Sequence, residues 1–381
     1  MLHCCASVAG AVVPKVAVVC RQGFHQVGTY ADRKDRVVTN FRPEDAPEEE
    51  EVEEEVEKMT SQLTALKAMS TVVADTGELD QIKLYEPVDA TTNPSLVLKA
   101  TSLPAYKHYI DDAIKEFVAS GAHPSNPDRP YADVVDLLLA RFAAEITQIV
   151  PGRVSIEVDA HLSHDTEATL AKARKLVQLC EARGVPRSRL YIKLASTWEG
   201  IRACEVLQKE GIDCNCTLLF SFAQGVACAE AGAALISPFV GRILDWYKKR
   251  DGDVYTPEND PGVASVRRIY NYYKHYGYDT VVMAASFRNV GEIRQLAGCD
   301  NITISPALLK ELDESTEELP RMLEASAVRC TDPRITLAAE ADFYALHNMD
   351  EMAVEKLAQG IEGFAKDQEK LEAIIGEIHA A

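Results

Sequence analysis

The sequence contains no G-x-G-x-x-G and no G-x-x-x-x-G-K-[ST] string, so it lacks the glycine-rich loops that cradle a dinucleotide or a nucleoside triphosphate on backbone N–H groups. A bound phosphate must then be held by side chains or helix ends. No two cysteines form a C-x-x-C pair, and no His, Cys, Asp and Glu set stands at metal spacing. That disfavours a structural zinc and a metal-dependent mechanism; no metal and no cofactor are expected. No apolar run approaches the roughly 20 residues of a membrane-spanning helix, so no membrane partner is expected. Positive charge is scarce: 40 Lys and Arg stand against 59 Asp and Glu, a formal charge of -19. A polyanion meets net repulsion, which excludes nucleic acid as the expected partner.

Acid is itself missing from the head. Residues 1–31 hold no Asp or Glu and two bases, Lys15 and Arg21, whereas Glu44 to Glu57 holds ten acids in fourteen positions. A block of like charge repels itself and stays extended. Residues 1–43 therefore read as an organelle transit peptide or disordered leader and 44–58 as an acidic linker, with a plastid (chloroplast) address expected and the cytoplasm or a mitochondrion as alternatives. A disordered regulatory arm is the competing reading. A secretory signal fits worse, because nothing basic precedes the apolar part.

Seven of the ten cysteines fall after residue 58. Cys214 and Cys216 sit two apart in an apolar run, share one face of a strand, and read as small buried hydrophobes.

From Met59 to Ala381 short β-branched runs alternate with amphipathic stretches, the sign of parallel βαβ units. Eight runs are expected as strands: 71–75, 89–93, 154–159, 190–195, 213–220, 234–240, 280–286 and 301–306. Between two of them, Leu170, Ala173, Leu176, Val177 and Cys180 recur at helical spacing. Eight strands with intervening helices in about 320 residues predict an α/β fold, a closed (β/α)8 TIM barrel over 59–381 with extra N-terminal and C-terminal helices. A helix over 60–69 is expected at the barrel's bottom. The apolar stripe of residues 350–378 reads as packing on the barrel's outside or on a second copy in a homodimer, with a lid over the mouth as the alternative.

Strand parity then places polar residues inside. In 190–195, Ile192 and Leu194 face one way and Tyr191, Lys193 and Ala195 the other. If the aliphatic side meets the helices, Lys193 points into the barrel, where desolvation disfavours its ammonium form, as an amine nucleophile requires. The same parity puts Glu157, Asn215 and Thr217 beside it. Asp75 and Asn93 close their runs at the carboxyl end, where barrel active sites are built. A buried Lys–Glu ion pair is the structural alternative. One cation, several carboxylates, two amides and a hydroxyl exceed what an ion pair needs and suit Schiff-base chemistry. Arg242 and Arg288, with Ser286 near them, form a candidate clamp for one phosphate dianion.

These strings resemble the transaldolase family of the pentose phosphate pathway over nearly all of 59–381. The resemblance is carried by Thr71-Val-Val-Ala-Asp75-Thr-Gly, Asp89-Ala-Thr-Thr-Asn93-Pro-Ser, Glu157-Val-Asp159, Ile192-Lys193-Leu-Ala-Ser-Thr-Trp198, Cys214-Asn215-Cys-Thr217, Ser237-Pro-Phe239-Val-Gly-Arg242 and Ser286-Phe-Arg288-Asn289. It implies Lys193 as the Schiff-base lysine, Asp75 as acid/base at the substrate hydroxyl, and Glu157 with Thr217 holding a catalytic water. It implies substrate contacts by Thr91, Asn93, Asn215, Ser237, Phe239 and Ser286, phosphate binding by Arg242 and Arg288, and sugar phosphates as substrates. The implied reaction is transfer of a dihydroxyacetone unit between ketose and aldose phosphates. In related barrel aldolases the equivalents of Glu157 and Phe239 are typically Gln and Tyr, so the resemblance sides with transfer over simple aldol cleavage. A silent barrel acting as a scaffold is the remaining alternative, opposed by the intact site. The segment 121–130 reads as loop variation without bearing on the chemistry.

Overall fold

The structure is a computed structural model and describes residues 61–381; the expected leader and linker lie outside the described residues. Eight parallel strands close into a barrel in chain order: β1 (Thr71–Asp75), β2 (Asp89–Thr91), β3 (Val154–Glu157), β4 (Leu190–Ala195), β5 (Cys214–Leu219), β6 (Leu235–Pro238), β7 (Val281–Ala284) and β8 (Asn301–Ile304). β8 pairs back onto β1, Thr71 opposite Asn301. Each strand is followed by helix, as the alternating pattern predicts.

Most expected strands run too long at the carboxyl end, and the cause is chemical. Asn93 leaves the ladder to accept the N–H of Leu96 at 2.9 Å, capping the helix Pro94–Thr101. Asp159 likewise accepts the N–H of His161 at 3.0 Å and starts a short turn of helix. A side-chain oxygen that satisfies an orphan helix N–H is worth about 1 kcal/mol, enough to end a strand early.

The barrel interior is layered. Val73, Leu235 and Met283, with Tyr191 packed on them, form an apolar plug, and the polar residues stack above it toward the strands' carboxyl ends. Outside, the aliphatic faces of the strands and the helices make one large core. The helix expected at the bottom spans Gln62–Lys67, capped by Ser61. Its Leu63 and Leu66 join that outer core rather than the plug, so the barrel is closed from within by strand side chains and the helix lies among the outer ones.

The C-terminal helix, Glu351–Ala380, corrects a larger expectation. Its C-terminal half packs on the outer helices as expected, with Leu371 and Ile375 in the outer core, but its N-terminal half crosses the mouth. Its Met352, Ala353, Leu357 and Phe364 form a cluster with Leu218, Phe220, Phe239 and Ala285, residues at the carboxyl ends of β5, β6 and β7. Burying a side chain such as Phe364, 2% exposed, is worth about 1.5–3 kcal/mol. Gly360 permits the approach: a Cβ there would lie 2.6 Å from Leu218 Cδ2. Leu218 in turn has φ 52° where the β5–β6 register shifts. Polar ties fasten the helix along its length. Glu355 accepts from Trp246 Nε1 at 2.8 Å, Asp367 from Ser95, Glu369 meets His161 Nε2 at 2.9 Å, and Glu372 pairs with Arg129. Arg129 also donates to Asp159 at 2.7 Å. The 121–130 segment thus does more than vary: it joins the helix over the mouth to the end of β3.

Candidate active site

Lys193 lies in the middle of β4, opposite Glu157 of β3 on one side and Asn215 of β5 on the other. The parity argument holds: Ile192 and Leu194 face the outer core, and Lys193, 4% exposed, faces inward. Its Nζ stands 3.1 Å from Glu157 Oε2 and donates to the Thr92 carbonyl at 3.3 Å. Despite that closeness, Glu157 Oε2 is buried without a hydrogen bond of acceptable geometry, and so is Thr217 Oγ1. Two orphan polar atoms in one interior mark a place where a further polar group would be stabilised.

Burial raises the carboxyls of both Asp75 and Glu157, with the Lys193 charge opposing in each case. Carboxyls so raised keep protons closer to neutrality, the condition for moving them in catalysis. Asp75 ends β1 directly across from Thr91 of β2, whose hydroxyl donates to Asp75 Oδ1 at 3.0 Å and meets Thr303 Oγ1 at 3.1 Å. Asn215 is held from both sides: Ser237 Oγ donates to its Oδ1 at 2.6 Å, and its Nδ2 donates to Ser155 Oγ at 3.1 Å. Each contact fixes an amide or carboxylate that would otherwise rotate.

One cavity of about 80 Å³ at this end is lined by Asp75, Thr91, Asn93, Lys193, Ser237, Phe239, Arg242 and Ser286, together with Met283, Ala285 and Thr303. Glu157, Asn215 and Thr217 lie in the same interior but do not line it. Thr303 was within reach of sequence reasoning, since parity along β8 puts it on the inner face with Asn301. Phe364 was not, because it arrives from a distant helix.

The two arginines differ. Arg242 has no hydrogen bond or ion pair among the described residues; its guanidinium lies 4.9 Å from the Phe239 ring and 5.4 Å from the Phe364 ring. Burial lowers its basicity, and the neighbouring positive charge of Arg288 adds to that effect. Arg288 is half turned to solvent and forked onto Asp245, with its Nη2 2.7 Å from Oδ2. It does not line the cavity. The loop carrying it is tight: Ser286 has φ 60°, its carbonyl accepts the N–H of Gly241 at 2.9 Å, and a Cβ at Gly241 would lie 2.5 Å from Arg288 Cγ. Among the described residues no cluster of His, Cys, Asp or Glu is arranged to hold a metal ion, and no helix is long and apolar enough to cross a membrane.

Comparison with known proteins gives the family. Residues 72–375 match the family model described as transaldolase/fructose-6-phosphate aldolase. A transaldolase of Haemophilus influenzae (strain PittGG) is 59% identical over 318 residues, 83% of this chain and 98% of the relative. Transaldolases of Histophilus somni (strain 129Pt) and Mannheimia succiniciproducens are each 58% identical, over 319 and 317 residues, 84% and 83% of this chain and 99% and 98% of their own lengths.

Proposed function

The chain belongs to the transaldolase family, and from that premise we propose that it transfers a dihydroxyacetone unit from a ketose phosphate, sedoheptulose 7-phosphate or fructose 6-phosphate, to an aldose phosphate, glyceraldehyde 3-phosphate or erythrose 4-phosphate. The observation that carries the reading is Lys193: a strand-centre lysine, 4% exposed, with a carboxylate 3.1 Å away and a small polar cavity beside it.

Its neutral amine adds to the substrate ketone, forming a carbinolamine. Loss of water needs a proton at the departing oxygen. Glu157 supplies it through a water held between Glu157 and Thr217, whose orphan oxygens support that placement. The resulting iminium is an electron sink. When Asp75 takes the proton of the substrate hydroxyl, the adjacent carbon–carbon bond breaks, the electron pair moves to the iminium, and an aldose phosphate leaves. The enamine stays on Lys193 until a second aldose phosphate accepts the carbon unit and the steps reverse, a ping-pong scheme.

Thr91, already bonded to Asp75, positions that base, and Asn93, Asn215, Ser237, Ser286 and Phe239 surround the three-carbon unit. Arg242, free of any protein carboxylate, binds the phosphate. Arg288, kept beside it by Asp245, adds the second positive charge. Phe239 brings no proton donor to the enamine, and Phe364 shuts the mouth above it; both favour transfer over hydrolysis. The test is product analysis with and without an acceptor. Rapid release of free dihydroxyacetone from fructose 6-phosphate alone, with no gain on adding erythrose 4-phosphate, would identify an aldolase instead.

Residues 1–43 are proposed as an organelle leader and 44–58 as its linker, on composition alone. The relatives named above are bacterial. Determining the first residue of the protein isolated from its source tests the proposal: a start between about residue 44 and residue 59 supports it, and an intact head refutes it.

A further inference from the structure

Behind the two arginines, the loop after β7 is held by a pair of buried acids. Asn289 Oδ1 accepts the N–H of Glu292 at 3.1 Å and starts the helix Val290–Gln295. Glu292 reaches back, and its Oε2 accepts the N–H of Arg288 at 2.7 Å. On a surface, a glutamate folded onto the start of its own helix is an ordinary cap. This one is 0% exposed, and its other oxygen is buried and accepts no hydrogen bond from the protein.

Asp260, also buried, is within side-chain hydrogen-bonding reach of Glu292. Asp260 Oδ1 accepts from Gly262 and Val263 at 2.7 and 3.1 Å and fixes the start of the helix Pro261–Tyr276. Two carboxyls packed together out of water cannot both ionise cheaply. Burial pushes Glu292 up to about 7; the Arg288 N–H opposes this and the Asp260 charge adds to it. Asp260 is raised by burial as well, opposed by the Val263 and Gly262 N–H groups and by a hydrogen bond from Glu292. The cations acting on the pair are Lys248, itself 2.6 Å from Asp253, and the Arg288 guanidinium on Asp245. Glu258, in the adjoining turn Pro257–Asn259, is exposed.

The Arg288 N–H that Glu292 holds sits two residues after the Ser286 carbonyl on which Gly241 is anchored, and the Arg288 stem lies over Gly241. A displacement there passes directly to Arg242. We propose that Glu292 is a positioning residue for the phosphate corner: by sharing one proton with Asp260 it holds the Ser286–Arg288 backbone where Arg242 and Arg288 meet the substrate phosphate. This rests on the reading of that corner as the phosphate site. Once the proton leaves, two adjacent negative charges repel, the corner loosens, and phosphorylated substrates bind more weakly.

The test uses the full chain and KM for fructose 6-phosphate between about pH 6.5 and about pH 8.5, in the wild type, Glu292→Gln and Asp260→Asn. Glutamine keeps an acceptor for Arg288 and a donor toward Asp260, and asparagine keeps the helix cap; each removes the shared charge. Ionisation of the substrate's own phosphate is common to all three and cancels in ratios. The wild-type KM rises relative to both variants by at least about threefold across that range, within the tenfold per pH unit that one proton allows, while the kcat ratios stay flat with pH. A KM ratio independent of pH for both variants overturns the proposal. Arg242→Ala, measured with fructose 6-phosphate and fructose, separates the causes. If it fails to weaken the phosphorylated donor selectively, the corner itself is misread; if it does and the ratios stay flat, only the role of Glu292 falls.

Discussion

The ring of Phe364 lies 5.9 Å from the Nζ of Lys193, although 171 positions separate them in the chain. The C-terminal helix therefore places an apolar face over the nitrogen proposed to carry the enamine. Excluding water there keeps the intermediate from being protonated and hydrolysed. Replacing Phe364 with Ala also costs about 3–5 kcal/mol of stability, so Phe364→Leu is the cleaner variant. It should release more free dihydroxyacetone per transfer event; an unchanged ratio of release to transfer means the ring does not shield the intermediate.

Arg242 has two aromatic rings against it and no carboxylate partner. Losing a hydrogen-bonded charge at such a site costs about 1.5–3 kcal/mol. Arg242→Ala should raise KM for fructose 6-phosphate by about 10- to 100-fold, with little effect on fructose, in steady-state kinetics. Equal effects on both sugars would remove this arginine from the phosphate.

Glu157 is raised by burial against the opposing charge of Lys193. Glu157→Gln keeps the shape and removes the proton transfer, a loss of about 10²- to 10⁴-fold in kcat. Rapid quench measurements should show that carbinolamine dehydration has become slow. A variant with wild-type kcat means that Glu157 is only the partner of a structural ion pair.

Glu292 gives a pH dependence of stability with a definite sign. Its folded value near 7 stands above the ordinary carboxyl value of 4.5, so the folded state keeps a proton that the unfolded chain loses first. Stability from this group is full below about pH 4.5 and falls as pH rises to about 7, by at most about 3 kcal/mol. Glu292→Gln should therefore melt higher than the wild type at pH 8 and show little difference at pH 4.5 in calorimetry. The opposite order would mean that the carboxylate is stabilised by the fold.

Much of the barrel could be read from short-range patterns. Two-residue alternation in β4 is enough to turn Lys193 inward, and the same alternation places Glu157, Asn215 and Thr217. The strand ends were legible only in part, because Asn93 and Asp159 could serve either a ladder or a helix cap. The covering of the site was not legible. The stripe from Val354 to Ile374 has the same spacing whether it meets the outer helices or the mouth; it meets the mouth first and the outer helices later, and the first part rests on the close pairing of Gly360 with Leu218, which no local pattern contains. The same holds for Arg129, which binds Asp159 30 positions away and Glu372 243 positions away, and for Glu292 opposite Asp260. Arg288 was recognised as a candidate, but its commitment to Asp245 depends on how two loops fold together.

The measurement closest to the central claim is borohydride trapping with fructose 6-phosphate as donor, followed by peptide mapping. Reduction of the iminium should inactivate the protein and leave one three-carbon adduct, on Lys193, while Lys193→Met takes up no label and loses at least about 10³-fold in turnover. An unmodified Lys193 in the treated enzyme, or sustained transfer by Lys193→Met, would contradict covalent catalysis at this residue.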